Sequence, residues 1–102
     1  MTRIAHPGDG FAYENDESWC WFVSCGALSV KNMKFTSIDT ELNFDIVNVW
    51  LVHNKSVSTK ALSASGSQLP STHVEGDAVL VEFTSDESMV RSGFVFEWEC
   101  VI

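Results

Sequence analysis

Three carboxylates carry the most chemistry in this sequence. Glu41 and Asp45 lie in Phe35-Thr36-Ser37-Ile38-Asp39-Thr40-Glu41-Leu42-Asn43-Phe44-Asp45, and Asp86 lies in Phe83-Thr84-Ser85-Asp86-Glu87-Ser88. Each sits beside a run of strand-forming residues: Glu41 follows one run, Asp45 opens the next and Asp86 follows a third. A tight connection between the first two would put both side chains at the same end of a sheet. Carboxylates gathered from separate loops repel one another unless protons or a cation neutralise them. Ca2+ accepts roughly six to eight oxygens in irregular geometry, whereas Mg2+ demands a stricter octahedron. The spacing therefore fits a Ca2+ site, although it also describes ordinary solvated turn residues.

Other chemistry is sparse. Asn54-Lys55-Ser56 is a glycosylation sequon with Asn54 as acceptor. His6, His53 and His73 are scattered and read as solvent or packing residues. There is no Gly-x-Ser-x-Gly elbow and no phosphate-cradling glycine loop, so the chain reads as a binding domain without catalytic machinery. Trp50 and the other tryptophans could stack on sugars, but at strand spacing they read as core.

The elements that must position these residues are strands. No window sustains apolar residues at helical spacing. Residues 1–12 read as a leader or linker broken by Pro7, Gly8 and Gly10. Trp19 to Cys25 is a strand with Trp19, Trp21, Val23 and Cys25 on one face. Ala27 to Phe35 is a second, with a parity slip near Asn32 that predicts a bulge or bend. Phe44 to Val52 is apolar on both faces and reads as an interior strand. Residues 54–73 read as loops around one short strand at Lys60 to Ser63. Val79, Val81 and Phe83 share a face in Ala78 to Phe83. The last strand sets Phe94, Phe96, Trp98 and Cys100 against Val95, Glu97, Glu99 and Val101, the pattern of a half-buried antiparallel strand. Many short strands without helices predict an all-β sandwich or barrel.

Cys25 and Cys100 both lie on predicted inward faces, whereas Cys20 has the opposite parity. Parity thus predicts a Cys25–Cys100 bond, with Cys20 free or bonded outside this chain. Three free thiols are the alternative, since cysteine also packs as a small hydrophobe. The 102 residues suffice for one domain. Fourteen acidic against six basic residues give a net charge of −8, which argues against nucleic acid and anionic membranes and favours cations or basic protein surfaces. No apolar run approaches the roughly 18 residues of a membrane span, so no membrane insertion is expected. Met1 to Gly10 has no signal-peptide core. With the cysteines, this favours a mature or excised piece of an extracellular protein.

Tyr13, Trp19-Cys20-Trp21-Phe22-Val23, Phe35 with Glu41, Asp45-Ile46-Val47-Asn48-Val49, Val79 to Ser88, and Gly93-Phe94 follow one another along the chain. In this order the phrases resemble the CUB family. The likeness runs from Tyr13 to Val101 and places the domain at residues 13–102. It implies a jelly-roll-like antiparallel β-sandwich in a secreted or surface-exposed protein of several domains. For the calcium-binding branch it implies Glu41, Asp45 and Asp86 as ligands, with backbone oxygen near Ser88 and water completing the shell. Tyr13 would hydrogen-bond a liganding carboxylate. It further implies Ca2+-ordered loops that accept an exposed Lys or Arg of a protein partner. A carbohydrate-binding adhesion domain is the alternative. The chain lacks the family's usual cysteine partner for Cys20 and its second cysteine pair, and its Glu41–Asp45 connection is short.

Overall fold

The computed structural model describes residues 3–8, 12–70 and 74–102. Eight strands account for most of them: β1 (Arg3–His6), β2 (Ser18–Ser24), β3 (Ser29–Asp39), β4 (Ile46–His53), β5 (Ser56–Ala64), β6 (Val74–Gly76), β7 (Ala78–Thr84) and β8 (Gly93–Val101). They form two four-stranded antiparallel sheets, ordered β1-β8-β3-β6 and β2-β7-β4-β5. There is no helix among the described residues. The two sheets make an all-β sandwich.

Alternation along the strands builds the core. β8 turns Phe94, Phe96 and Trp98 inward, and β7 answers with Val79, Val81 and Phe83 from the other sheet. Each such side chain, once buried, stabilises by roughly 1.5–3 kcal/mol. β4 lies between β7 and β5, as its apolar character predicts. β3 carries the bulge expected near Asn32, whose φ is 53°. Its register against β8 shifts between Lys31 and Lys34 and again between Phe35 and Ser37. Each extra residue reverses the facing of the strand beyond it, so Val30, Met33, Phe35 and Ile38 all stay buried.

Two expectations are corrected. The segment read as a wholly irregular leader contributes β1, which pairs with β8 from Arg3↔Glu97 to His6↔Phe94. Ile4 anchors it in the core, and Pro7 and Gly8 come after the strand rather than prevent it. The second is β5, which spans nine residues where a short strand among loops was expected. It is the last strand of its sheet, and only Leu62 and Ala64 are buried. An edge strand with one wet face accepts Ser, Thr and Lys, which hides the alternation. Residues 71–73 of the expected loop lie outside the described residues.

Cys25 follows β2 and Cys100 lies near the end of β8, so their disulfide links the two sheets. Parity identified the pair, but the bond lies at the margin of the core: Cys25 is half-buried and Cys100 exposed. Cys20 is free and exposed.

Candidate metal centre

The acidic site is built at the end of the sandwich opposite the disulfide, where β3 gives way to β4 and β7 to β8. The β3–β4 connection folds because the N–H groups of Phe44 and Asp45 both donate to the Glu41 carbonyl, at 3.2 and 3.0 Å. Asn43 takes a left-handed φ of 69°, a conformation Asn tolerates better than most residues. Buried Thr40 fixes the base of the turn. Its hydroxyl donates to the Asp45 carbonyl and accepts from the Gly66 N–H, both at 2.9 Å, while its own N–H donates to the Gly66 carbonyl. Gly66 has φ +75°, and a Cβ there would stand 2.9 Å from Leu42 Cδ1.

Asp45 is thereby pulled inside, to 1% exposure. A buried carboxylate must be hydrogen-bonded. Its Oδ2 accepts from the Tyr13 hydroxyl at 2.5 Å, and its Oδ1 accepts from the Asp86 N–H at 2.9 Å. The Tyr13 oxygen in turn accepts the Glu41 N–H at 3.1 Å. One buried phenol therefore touches both ends of the turn. Burial, reinforced by the bond to Asp45, holds this hydroxyl protonated far above the ordinary phenol range.

Asp86 is placed from the other side. The Asp16 N–H donates to its carbonyl at 2.7 Å. Ser85, its neighbour, accepts from the Glu17 N–H and donates to the Glu14 carbonyl, and its N–H donates to the Glu17 carbonyl. Ser88 is exposed, and its N–H donates to Asp86 Oδ1 at 3.2 Å.

The outcome is a cluster: one carboxylate oxygen from each of Glu41, Asp45 and Asp86 lies within 4.8 Å of the other two. Glu41 Oε1 is buried with no hydrogen-bond partner. Burial raises the Glu41 pKa above its ordinary value of 4.5, as does the crowding of Asp86 and Asp45, against a smaller opposing effect of Arg91. An orphaned buried carboxylate oxygen beside two further carboxylates gathers three hard donors that could hold a cation. The donors are all hard oxygens, which suits Ca2+ rather than a soft or borderline metal.

The remaining sequence candidates lie elsewhere. Asn54 is exposed in the β4–β5 hairpin, where Asn54 and Lys55 both have positive φ, 50° and 65°. His6 packs among Trp19, Trp21, Phe83 and Phe94 and bonds Glu17. His73 lies outside the described residues. Sequence reasoning missed Thr40, Gly66 and Ser85. Thr40 adjoins Glu41 and Gly66 lies between serines, but the bonds that matter join residues far apart in the chain.

No protein-family model matches the sequence. Among solved structures, the CUB1-EGF-CUB2 domains of rat MASP-1 superpose with a TM-score of 0.71 at 20% identity. The match covers 97% of this chain and 39% of that one. The chain has a CUB-like fold. It spans well under half the length of its multidomain neighbour, so the likeness concerns one CUB-sized unit.

Proposed function

We propose that this domain is an extracellular, Ca2+-dependent protein-binding module and one part of a larger protein. The observation that carries the proposal is the convergence of Glu41, Asp45 and Asp86 within 4.8 Å around an unpartnered Glu41 oxygen. In this reading the three carboxylates hold the ion, and backbone oxygen near Ser88 and water complete its shell. Tyr13 orients Asp45, a supporting role typical of groups that hydrogen-bond a metal ligand. The ion cancels the repulsion among the carboxylates and ties the β3–β4 and β7–β8 loops together. Carboxylate oxygen left over then accepts a Lys or Arg of a partner in a charge-assisted hydrogen bond. The inter-sheet disulfide suits an oxidising, extracellular setting.

Thermal melting with Ca2+ and with chelator tests the reading. At a hundredfold excess over Kd, a ligand specific to the folded state adds about 2.7 kcal/mol. In a domain of this size that raises Tm by roughly 10 °C or more. Glu41→Gln and Asp86→Asn should each remove the rise; a wild-type Tm indifferent to Ca2+ would refute the metal site. A carbohydrate-binding reading is favoured by exposed aromatic side chains on β2, Phe22 at 64% and, on the opposite face, Trp19 at 49%. Glycan-array binding that Phe22→Ser abolishes would select it instead.

A further inference from the structure

Each sheet of the sandwich has two outer strands, and an outer strand offers a row of backbone N–H and C=O groups that can pair with another chain. Short length, charge, proline and bulges are the devices that prevent such pairing. Three of the four edges carry them. β1 is four residues long, includes Arg3 and runs into Pro7. β6 has three residues. β5 carries Lys60, and its register against β4 shifts twice.

The fourth edge, β2, carries none. Its seven residues, Ser18–Ser24, include no proline and no charged side chain, in a chain of which 20% is charged. Its register against β7 runs unbroken from Ser18↔Thr84 to Ser24↔Ala78. Among the described residues β2 pairs with β7 alone, so its other side is open. Phe22 is 64% and Trp19 49% exposed, and Cys20 is exposed as a free thiol. A cleft of about 460 Å³ runs beside the strand, lined by Trp21 and Val23 together with Ile4 of β1 and Trp98 of β8.

Charge and symmetry select the occupant. A net charge of −8 sets two copies of this chain against each other, but two β2 strands meet without charge. Glu82 of β7 lies opposite Cys20. With two β2 strands between them, the Glu82 side chains of two copies stand at least three strand spacings apart, about 14 Å. That exceeds the Debye length of about 8 Å at physiological salt. Antiparallel pairing of β2 with itself, about a two-fold axis at Trp21, uses all seven residues. It sets Trp21 against Trp21, Trp19 against Val23, Cys20 against Phe22 and Ser18 against Ser24. Aromatic pairs, and aromatic with β-branched residues, are favourable cross-strand neighbours. Such a contact closes at two copies.

We propose that β2 is a dimerisation edge, at which two copies of the chain join β2 to β2, antiparallel about Trp21, and merge their β2-β7-β4-β5 sheets into one. The inference is independent of the Ca2+ site.

Sedimentation equilibrium on the intact chain tests it. Wild type and Cys20→Ser should dimerise equally, because the contact needs no bond between thiols. Phe22→Lys should weaken the dimer at least about tenfold, whereas Val57→Lys on the β5 edge should leave it unchanged. Paired charges test the register. Ser18→Lys with Ser24→Lys sets like charges opposite each other at both ends and should dissociate the dimer, although this variant has less net negative charge than wild type. Ser18→Glu with Ser24→Lys sets opposite charges together and should dimerise at least as tightly as wild type. Every substituted residue is exposed, so melting should show each variant folded. The two Cys20 side chains are diagonal neighbours in this register, about 7–8 Å apart, too far for a direct disulfide but within reach of a short bis-maleimide, which should trap the dimer. A wild type that stays monomeric up to about 1 mM, or a dimer that responds alike to the two charge pairs, overturns the proposal. Loss of the dimer in Cys20→Ser overturns it in favour of thiol oxidation alone.

Discussion

At the residue scale, the Tyr13 hydroxyl is the hinge of the acidic end: it donates to Asp45 and accepts from the Glu41 backbone. Tyr13→Phe leaves two buried polar groups without a partner, and each orphaned group costs about 1–3 kcal/mol. We expect a fall in Tm of several degrees in chelator, with weaker Ca2+ affinity, both measurable by calorimetry. Glu41 gives a pH signature. Its folded pKa lies above the ordinary 4.5 because of burial and the neighbouring Asp86 and Asp45. The folded state therefore binds that proton more tightly than the unfolded chain. This contribution to stability is full below pH 4.5 and is lost as pH rises through the raised folded value. Chelated protein should lose stability over that interval, and Glu41→Gln should lose less. With Ca2+ the trend opposes this: protons compete for the carboxylates, so the Ca2+-induced rise should shrink as the solution is acidified. Melts at a series of pH values, with and without chelator, measure both trends.

At the element scale, the acidic site depends on how β3 hands over to β4. Thr40 bonds to Asp45 and to Gly66 across 26 residues of chain. Thr40→Val keeps the shape and removes the hydroxyl, leaving the buried Gly66 N–H and Asp45 carbonyl short of a partner. A loss of about 1–3 kcal/mol is expected in chemical denaturation, with a smaller Ca2+-induced Tm rise because the Asp45 backbone is no longer fixed. The β4–β5 hairpin offers the opposite sign. Lys55 occupies the second left-handed position of a two-residue turn, where Gly avoids the steric cost of a Cβ. Lys55→Gly should stabilise by about 1 kcal/mol, leaving the Ca2+-induced shift unchanged and the Asn54 sequon intact.

At the scale of the whole molecule, disulfide and carboxylates sit at opposite ends of a sandwich 41 Å long. Their contributions should separate. The bond closes a 75-residue separation, worth roughly 4 kcal/mol in the chain-entropy account. Cys25→Ser with Cys100→Ser should therefore lower stability by about that amount in denaturant titration while preserving the Ca2+-induced rise. If the double variant also loses the rise, the two ends are coupled through the core.

Strand character, the bulge at Asn32 and the pairing of Cys25 with Cys100 were all legible in the sequence, because they follow from side-chain parity, a local property with period two; that the bond sits at the margin of the core was not. The identity of the three converging acids was legible for a related reason: each flanks a strand end, and antiparallel strands share their ends. Tyr13 was legible only through the family likeness. Of the edge strands, β2 was read, but β1 and most of β5 escaped. β1 is short and β5 has a wet outer face, so neither shows clean alternation, and only pairing with β8 and β4 defines them. Most of the support of the site escaped as well. Thr40 with Gly66 and Ser85 with Glu17 join residues 26 and 68 positions apart. Such contacts are decided by how the two sheets stack, because a hydrogen bond between distant residues leaves no periodic trace along the chain.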